Sequence, residues 1–204
     1  MTDRTATGGR PPGAIALAAV SGGVDLIQVR EKDLPGGELL LLVREIVDGL
    51  RAARERARVV VNDRLDVALA GKAAGVHLPS EGLPTRGVRE RSSRNLLIGR
   101  SVHSLAEARQ AEKEGADYVF FGPVFDTPSK AAFGPPQGVA ALRKVVSSVK
   151  LAVWAIGGIN SVTVGELAGI PIAGIAAISA FATAEDPAAA ARSLREALGA
   201  PGGA

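Results

Sequence analysis

The sequence predicts an α/β fold, a (βα)8 TIM barrel lacking all or part of its first strand, and three observations lead there. Short, continuously apolar stretches alternate with helical ones along the chain, which demands a parallel sheet covered by helices. Charged or polar residues follow nearly every strand end, as they do at the rim where barrels carry out chemistry. No Gly-x-Gly-x-x-Gly follows the first strand, which argues against an open doubly wound sheet. At 204 residues the chain fits one barrel domain over 1–204, somewhat short of the roughly 250 residues of a complete eight-fold barrel.

Residues 1–12 are polar and rich in Gly and Pro, so they read as a loop. The Ala-rich stretch 13–20 reads as a short helix closed by Ser-Gly-Gly. Residues 24–30 (Val-Asp-Leu-Ile-Gln-Val-Arg) form a buried strand ending in charge. A helix is expected over 38–57, with Leu39, Val43, Ile46, Val47 and Leu50 on one face. Next come a strand at 58–62, a brief helix at 65–73, a strand of barely four residues from Gly75 and a weak helix at 84–91. After a strand at 95–101, Ser104 and Glu107 make a capping box for the helix that follows.

A strand at 117–124 leads into a long irregular loop ending at Pro136, then a helix over 137–147. The strand 151–156 ends in Gly157-Gly158, with Asn160 or Ser161 expected to cap another helix. The strand 174–178 is the last of seven, and Asp186-Pro187 supplies an N-cap and a first-turn proline for a helix over 187–198. Residues 199–204 should fray. The opening Met1-Thr-Asp-Arg falls where the loop after a missing first strand would lie, so no strand is expected before the helix at Gly13.

Composition narrows the function classes. With 47% hydrophobic residues the chain can bury a core, and with only 3% aromatics that core must rely on Val, Ile and Leu. The absence of cysteine excludes disulfides and thiolate metal sites. No apolar run of about 18 residues occurs, and no basic-then-apolar leader opens the chain, so a cytoplasmic enzyme without membrane contact is expected. Net charge is +3; the arginine clusters at 51–58 and 86–94 are interleaved with Glu55 and Glu90 and lack stacking aromatics. They read as solvated helix faces rather than a nucleic-acid surface.

The stretch 98–130 sets Ser101, His103, Thr127, Ser129 and Lys130 just past two consecutive strands. Gln28, Arg30 and Lys32 follow the first strand, where period-two spacing puts them on one face; Asn62 and Asp63 follow the next. Asp63 could hold Mg²⁺ if a second oxygen ligand stood close. Gly157-Gly158 and Ser179-Ala180 each precede a helix, where unpaired amides and the helix dipole favour a phosphate. Tight turns alone would also account for the glycine pair. The loop around Thr127 to Lys130 is expected to close over a ligand and exclude water. An incomplete barrel would leave an edge that a second subunit could cover, which makes a homodimer compatible with the sequence.

These motifs together resemble the thiamin phosphate synthase and TenI family. The matching segments are Gln28-Val-Arg-Glu-Lys, Asn62-Asp63, Gly75-Val-His-Leu, Ser101-Val-His103-Ser, Gly122-Pro-Val-Phe-Asp-Thr-Pro-Ser-Lys130, Ala155-Ile-Gly-Gly-Ile and Ile178-Ser-Ala. The resemblance spans about residues 2–198 and implies a (βα)8 barrel in thiamin biosynthesis.

Two activities divide that family. In a synthase, a transferase, the resemblance implies that Gln28, Arg30, Lys32, Asn62 and Lys130 hold a pyrimidine diphosphate while Asp63 binds Mg²⁺. The second acidic ligand should then follow the Val-His-Leu strand, where this chain has Pro79-Ser80-Glu81-Gly82, with Gly82 in the aspartate's place. In the TenI-like thiazole tautomerase, an isomerase, no metal is needed and His103 would carry the proton, since an imidazole titrates near neutral pH. Because of Gly82 and the His103 segment the tautomerase is the expected activity, with no cofactor. The synthase with Mg²⁺ is the alternative, and a non-catalytic barrel that binds a phosphorylated thiazole is the third. His77, in mid-strand, reads as core.

Overall fold

The computed structural model describes residues 1–127 and 135–199, and the chain divides into two compact units. Residues 1–77 and 178–196 make the first, and residues 78–177 belong to the second. The elements in chain order begin with a 3₁₀ turn (Arg4–Ala6), α1 (Pro12–Ser21), β1 (Leu26–Val29), α2 (Gly36–Ala52), β2 (Arg58–Asn62) and α3 (Leu65–Ala70). Then come β3 (Gly75–Leu78), α4 (Thr85–Arg91), β4 (Leu97–Val102), α5 (Leu105–Lys113), β5 (Tyr118–Phe121) and α6 (Gly138–Val146). The chain closes with β6 (Ala152–Ile156), a 3₁₀ turn (Val164–Leu167), β7 (Gly174–Ala176), α7 (Ser179–Ala182) and α8 (Pro187–Leu198). Among the described residues seven strands, with helices or a 3₁₀ turn between them, place the chain in the TIM-barrel class, and no strand precedes α1.

In the first unit β1 and β2 run parallel with Gln28 opposite Val60, and β2 and β3 with Asn62 opposite His77. Ile27, Val29, Val59, Val60, Val61 and Val76 are buried, each such side chain contributing roughly 1.5–3 kcal/mol. On α2 the residues Leu39, Val43, Ile46 and Leu50 face inward while Val47 is only half-buried. The helix stops short of the expected residue 57 because Arg54 takes φ 56° and the Glu55 N–H turns back to the Leu50 carbonyl at 2.9 Å. Asp186 caps α8 as expected, accepting from the N–H groups of Ala188 (2.9 Å) and Ala189 (3.0 Å). From the same helix, Arg195 donates to the Gly23 carbonyl and to Asp25.

In the second unit β4 to β7 are parallel, with Ser101 opposite Phe120 and Phe120 opposite Trp154. Three aromatics pack along these strands: the Tyr118 and Phe120 rings lie 5.3 Å apart, and those of Phe120 and Trp154 6.3 Å. Burial pushes the Tyr118 phenol above its ordinary pKa. Gly174 is required beside Trp154, since a Cβ there would lie 2.7 Å from the indole. Ser104 and Glu107 form the capping box of α5.

Two expectations are corrected. Arg89 is not part of a solvated face: it donates to the carbonyls of Gly115 and Leu96, both at 3.0 Å, and pairs with Asp117. Asn160 does not cap a full helix. Its Oδ1 accepts from Val162 and Thr163, and only a 3₁₀ turn follows.

Candidate functional site

Each unit carries part of the predicted site. In the first, Gln28 is buried on β1 and its amide donates to Asn62 Oδ1 on β2 at 3.0 Å. That bond joins two predicted residues across a strand pair, and Gln28 Oε1 is left buried without a partner. Strand spacing alone puts Arg30 and Lys32 on the Gln28 face, but the strand ends at Val29. Arg30 gives its N–H to Thr2 Oγ1 at 2.9 Å instead of to a ladder, and Lys32 sits in an exposed turn. Beyond Val29 the strand's period-two spacing no longer applies to these two residues.

Asp63 sits at the end of β2 with φ 62°, its N–H donated to the His77 carbonyl at 2.8 Å. A left-handed residue at this point turns the chain out of the strand, and Asp tolerates that region better than most. The Asp63 carboxylate is exposed. Beside it the Arg64 guanidinium bonds both oxygens of Asp66 and holds that carboxyl down at about 2. His77 is buried, as expected of a core residue. Ser179 and Ala180 are the first two residues of α7.

In the second unit the imidazole of His103 has Nδ1 2.5 Å from the Gly122 carbonyl oxygen. A carbonyl can only accept, so Nδ1 is the donor in this contact. The His103 N–H donates to Glu107 at 2.8 Å, which ties the residue to the start of α5. Ser101 in β4 and Thr127 in the loop after β5 are half-buried, while Ser129 and Lys130 lie outside the described residues.

Gly157 and Gly158 take φ 98° and 66°, and the loop after β5 presses against them. A Cβ at Gly157 would lie 2.5 Å from Pro123 Cα, and one at Gly158 would lie 2.4 Å from the Asp126 carbonyl oxygen. Glycine is thus needed here for close backbone approach as well as for the turn.

Sequence reasoning missed two features. Arg100, a charge inside an apolar strand, donates to the carbonyls of Leu83 (2.6 Å) and Ser80 (2.9 Å) and so pins the turn that holds Glu81 and Gly82. Its placement in the strand was a legible signal. Thr2 and Glu31, both buried, carried none.

The geometry can be set beside known proteins. A family model described as thiamine monophosphate synthase matches residues 1–181. A thiamine-phosphate synthase of Methanoculleus marisnigri is 43% identical over 203 residues, covering 98% of this chain and 94% of its own length. One of Anaeromyxobacter dehalogenans is 45% identical over 191 residues, covering 94% and 85%. The solved thiamine phosphate pyrophosphorylase of Pyrococcus furiosus superposes with a TM-score of 0.87 at 40% identity, over 97% of this chain and 93% of that one.

Proposed function

Because the chain belongs to the thiamine monophosphate synthase family, we propose that it is itself a thiamine-phosphate synthase, joining a hydroxymethylpyrimidine diphosphate to a thiazole phosphate with release of pyrophosphate. The observation that carries this reading is the charge gathered at two adjoining strand ends. Arg30 and Lys32 follow β1, Asn62 closes β2 with Asp63 just after it, and the Gln28 amide on β1 is bonded to Asn62. Two cations suit a diphosphate better than a monoester, because each phosphate adds charge that must be held as the bond to it breaks.

In this reading Arg30 and Lys32 hold the diphosphate, with Lys130 as a third cation assigned from the sequence resemblance. Gln28 and Asn62 orient the pyrimidine, and Ser101, Thr127 and Ser129 supply further polar contacts to substrate. The sequence assigns phosphate contacts to Gly157 and Gly158 and, separately, to Ser179 and Ala180.

Among the described residues no group of three or more His, Asp or Glu side chains could hold a metal. One exposed carboxylate nevertheless fits Mg²⁺, which keeps several waters and takes substrate phosphate oxygens as ligands. Asp63 would hold the ion, and the ion when bound neutralises charge on the departing pyrophosphate.

The sequence placed the tautomerase first; the family model and the relatives' names favour the synthase. His103 supports the tautomerase as a second reading, since the Gly122 carbonyl engages Nδ1 and orients the ring while Nε2 lies outside that contact. Incubating the chain with both phosphates and Mg²⁺ should release pyrophosphate and yield thiamin phosphate. No release, together with thiazole tautomerisation that is lost in His103→Asn, would overturn the synthase in favour of the second reading. Thiazole phosphate bound without either turnover would favour a binding-only barrel.

A further inference from the structure

Residues 2–4 are tied to β1 by one link and to the loop after it by three. The Thr2 N–H donates to the Gln28 carbonyl at 2.9 Å, and Thr2 Oγ1 accepts the Arg30 N–H at 2.9 Å. The Arg4 N–H donates to Glu31 Oε2 at 2.9 Å, and the Arg4 guanidinium pairs with Asp33. Thr2 is 8% exposed and Glu31 5%, so two of the tying side chains are shielded from water.

The same segment is anchored at its far end. Thr7 Oγ1 donates to the Arg4 carbonyl at 3.0 Å, and the Arg10 guanidinium donates to the carbonyls of Ala184 (2.7 Å) and Ala182 (2.6 Å). A stretch with little regular structure is thus fixed at both ends.

This matters because β1 stops at Val29, so nothing in a ladder holds the two cations that follow. A loop left to wander must be ordered when an anion binds, and fixing a residue's backbone costs about 1–2 kcal/mol. We infer that residues 2–4 are a brace that pre-organises the anion-binding loop after β1, with Thr2 as the positioning residue that fixes Arg30. The inference rests on the reading of Arg30 and Lys32 as diphosphate ligands.

Thr2→Val keeps the shape and removes the hydroxyl, leaving the Arg30 N–H without its acceptor. Affinity for inorganic pyrophosphate, measured by titration calorimetry on the full chain, should fall roughly three- to tenfold. The KM for the pyrimidine diphosphate should rise by a similar factor, with the KM for the thiazole phosphate and kcat unchanged. Thr2→Ser, which restores the acceptor, should restore both values. Amide hydrogen exchange should quicken over residues 30–33 in Thr2→Val and not in Thr2→Ser.

Unchanged exchange at 30–33, or a rise in both KM values together, would overturn the brace. A wild-type chain that binds no pyrophosphate would instead overturn the functional reading, and the exchange comparison alone then decides the brace.

Discussion

Replacing Gly157 with Ala asks how firmly the loop after β5 is seated. The residue has φ 98°, and an added Cβ would lie 2.5 Å from both Cα and Cβ of Pro123 and 3.2 Å from the Val124 nitrogen. The loop cannot simply retreat, because the Val124 N–H donates to the Ile156 carbonyl (2.8 Å) and the Phe125 N–H to the Gly157 carbonyl (3.1 Å). A non-glycine residue at such a φ costs about 1–3 kcal/mol, and a forced overlap in packed surroundings about as much again. The expected loss is about 3–4 kcal/mol.

At this chain length each kcal/mol moves the melting temperature by roughly 2–4 °C, so thermal unfolding should shift down by roughly 10 °C. Urea unfolding should show an earlier midpoint at unchanged slope. Gly165→Ala is the control, with nothing within 4 Å of its Cβ and no positive φ, and it should stay within about 0.5 kcal/mol of the parent. A Gly157→Ala chain within about 1 kcal/mol of the parent would refute the close packing of this loop.

Two further outcomes concern local electrostatics and capping. Asp186→Ala removes the acceptor for two first-turn N–H groups of α8 and should cost about 1 kcal/mol in denaturant unfolding, with Asp186→Asn costing less. The Arg64–Asp66 pair should add stability that is present above about pH 4 and lost as pH falls toward 2, because the folded carboxyl titrates at about 2 against 3.8 unfolded. The pair is exposed, so the effect amounts to about tenths of a kcal/mol. The stability difference between parent and Asp66→Asn should shrink across that interval, and a difference constant from pH 5 to pH 2 would refute it.

Local signals carried the order of elements. Ser104 with Glu107 and Asp186 with Pro187 marked helix starts where the structure has them, since a cap is a contact between residues two or three apart. Apolar runs marked the seven strands of the described residues. Charge at the strand ends pointed to Arg30, Lys32, Asn62 and Asp63, and the Gln28–Asn62 bond joins two residues singled out from sequence alone.

Where each element stops was less legible. Arg54 ends α2 by entering the left-handed region, a choice that no residue type announced. β1 ends at Val29, and the next N–H, that of Arg30, goes to the hydroxyl of Thr2, distant in the chain, so strand spacing does not extend to Arg30 and Lys32.

By itself, then, the sequence determined the alternation of strands and helices, the helix caps and the family to which the chain belongs, because these depend on neighbours along the chain or on motifs it carries intact. Only the tertiary structure decided that Gly157 and Gly158 are needed against the loop after β5, that His103 Nδ1 meets the Gly122 carbonyl, and that residues 2–4 grip the loop after β1. Each of these turns on one backbone group meeting another from far along the chain, and no local propensity records which donor will find which acceptor.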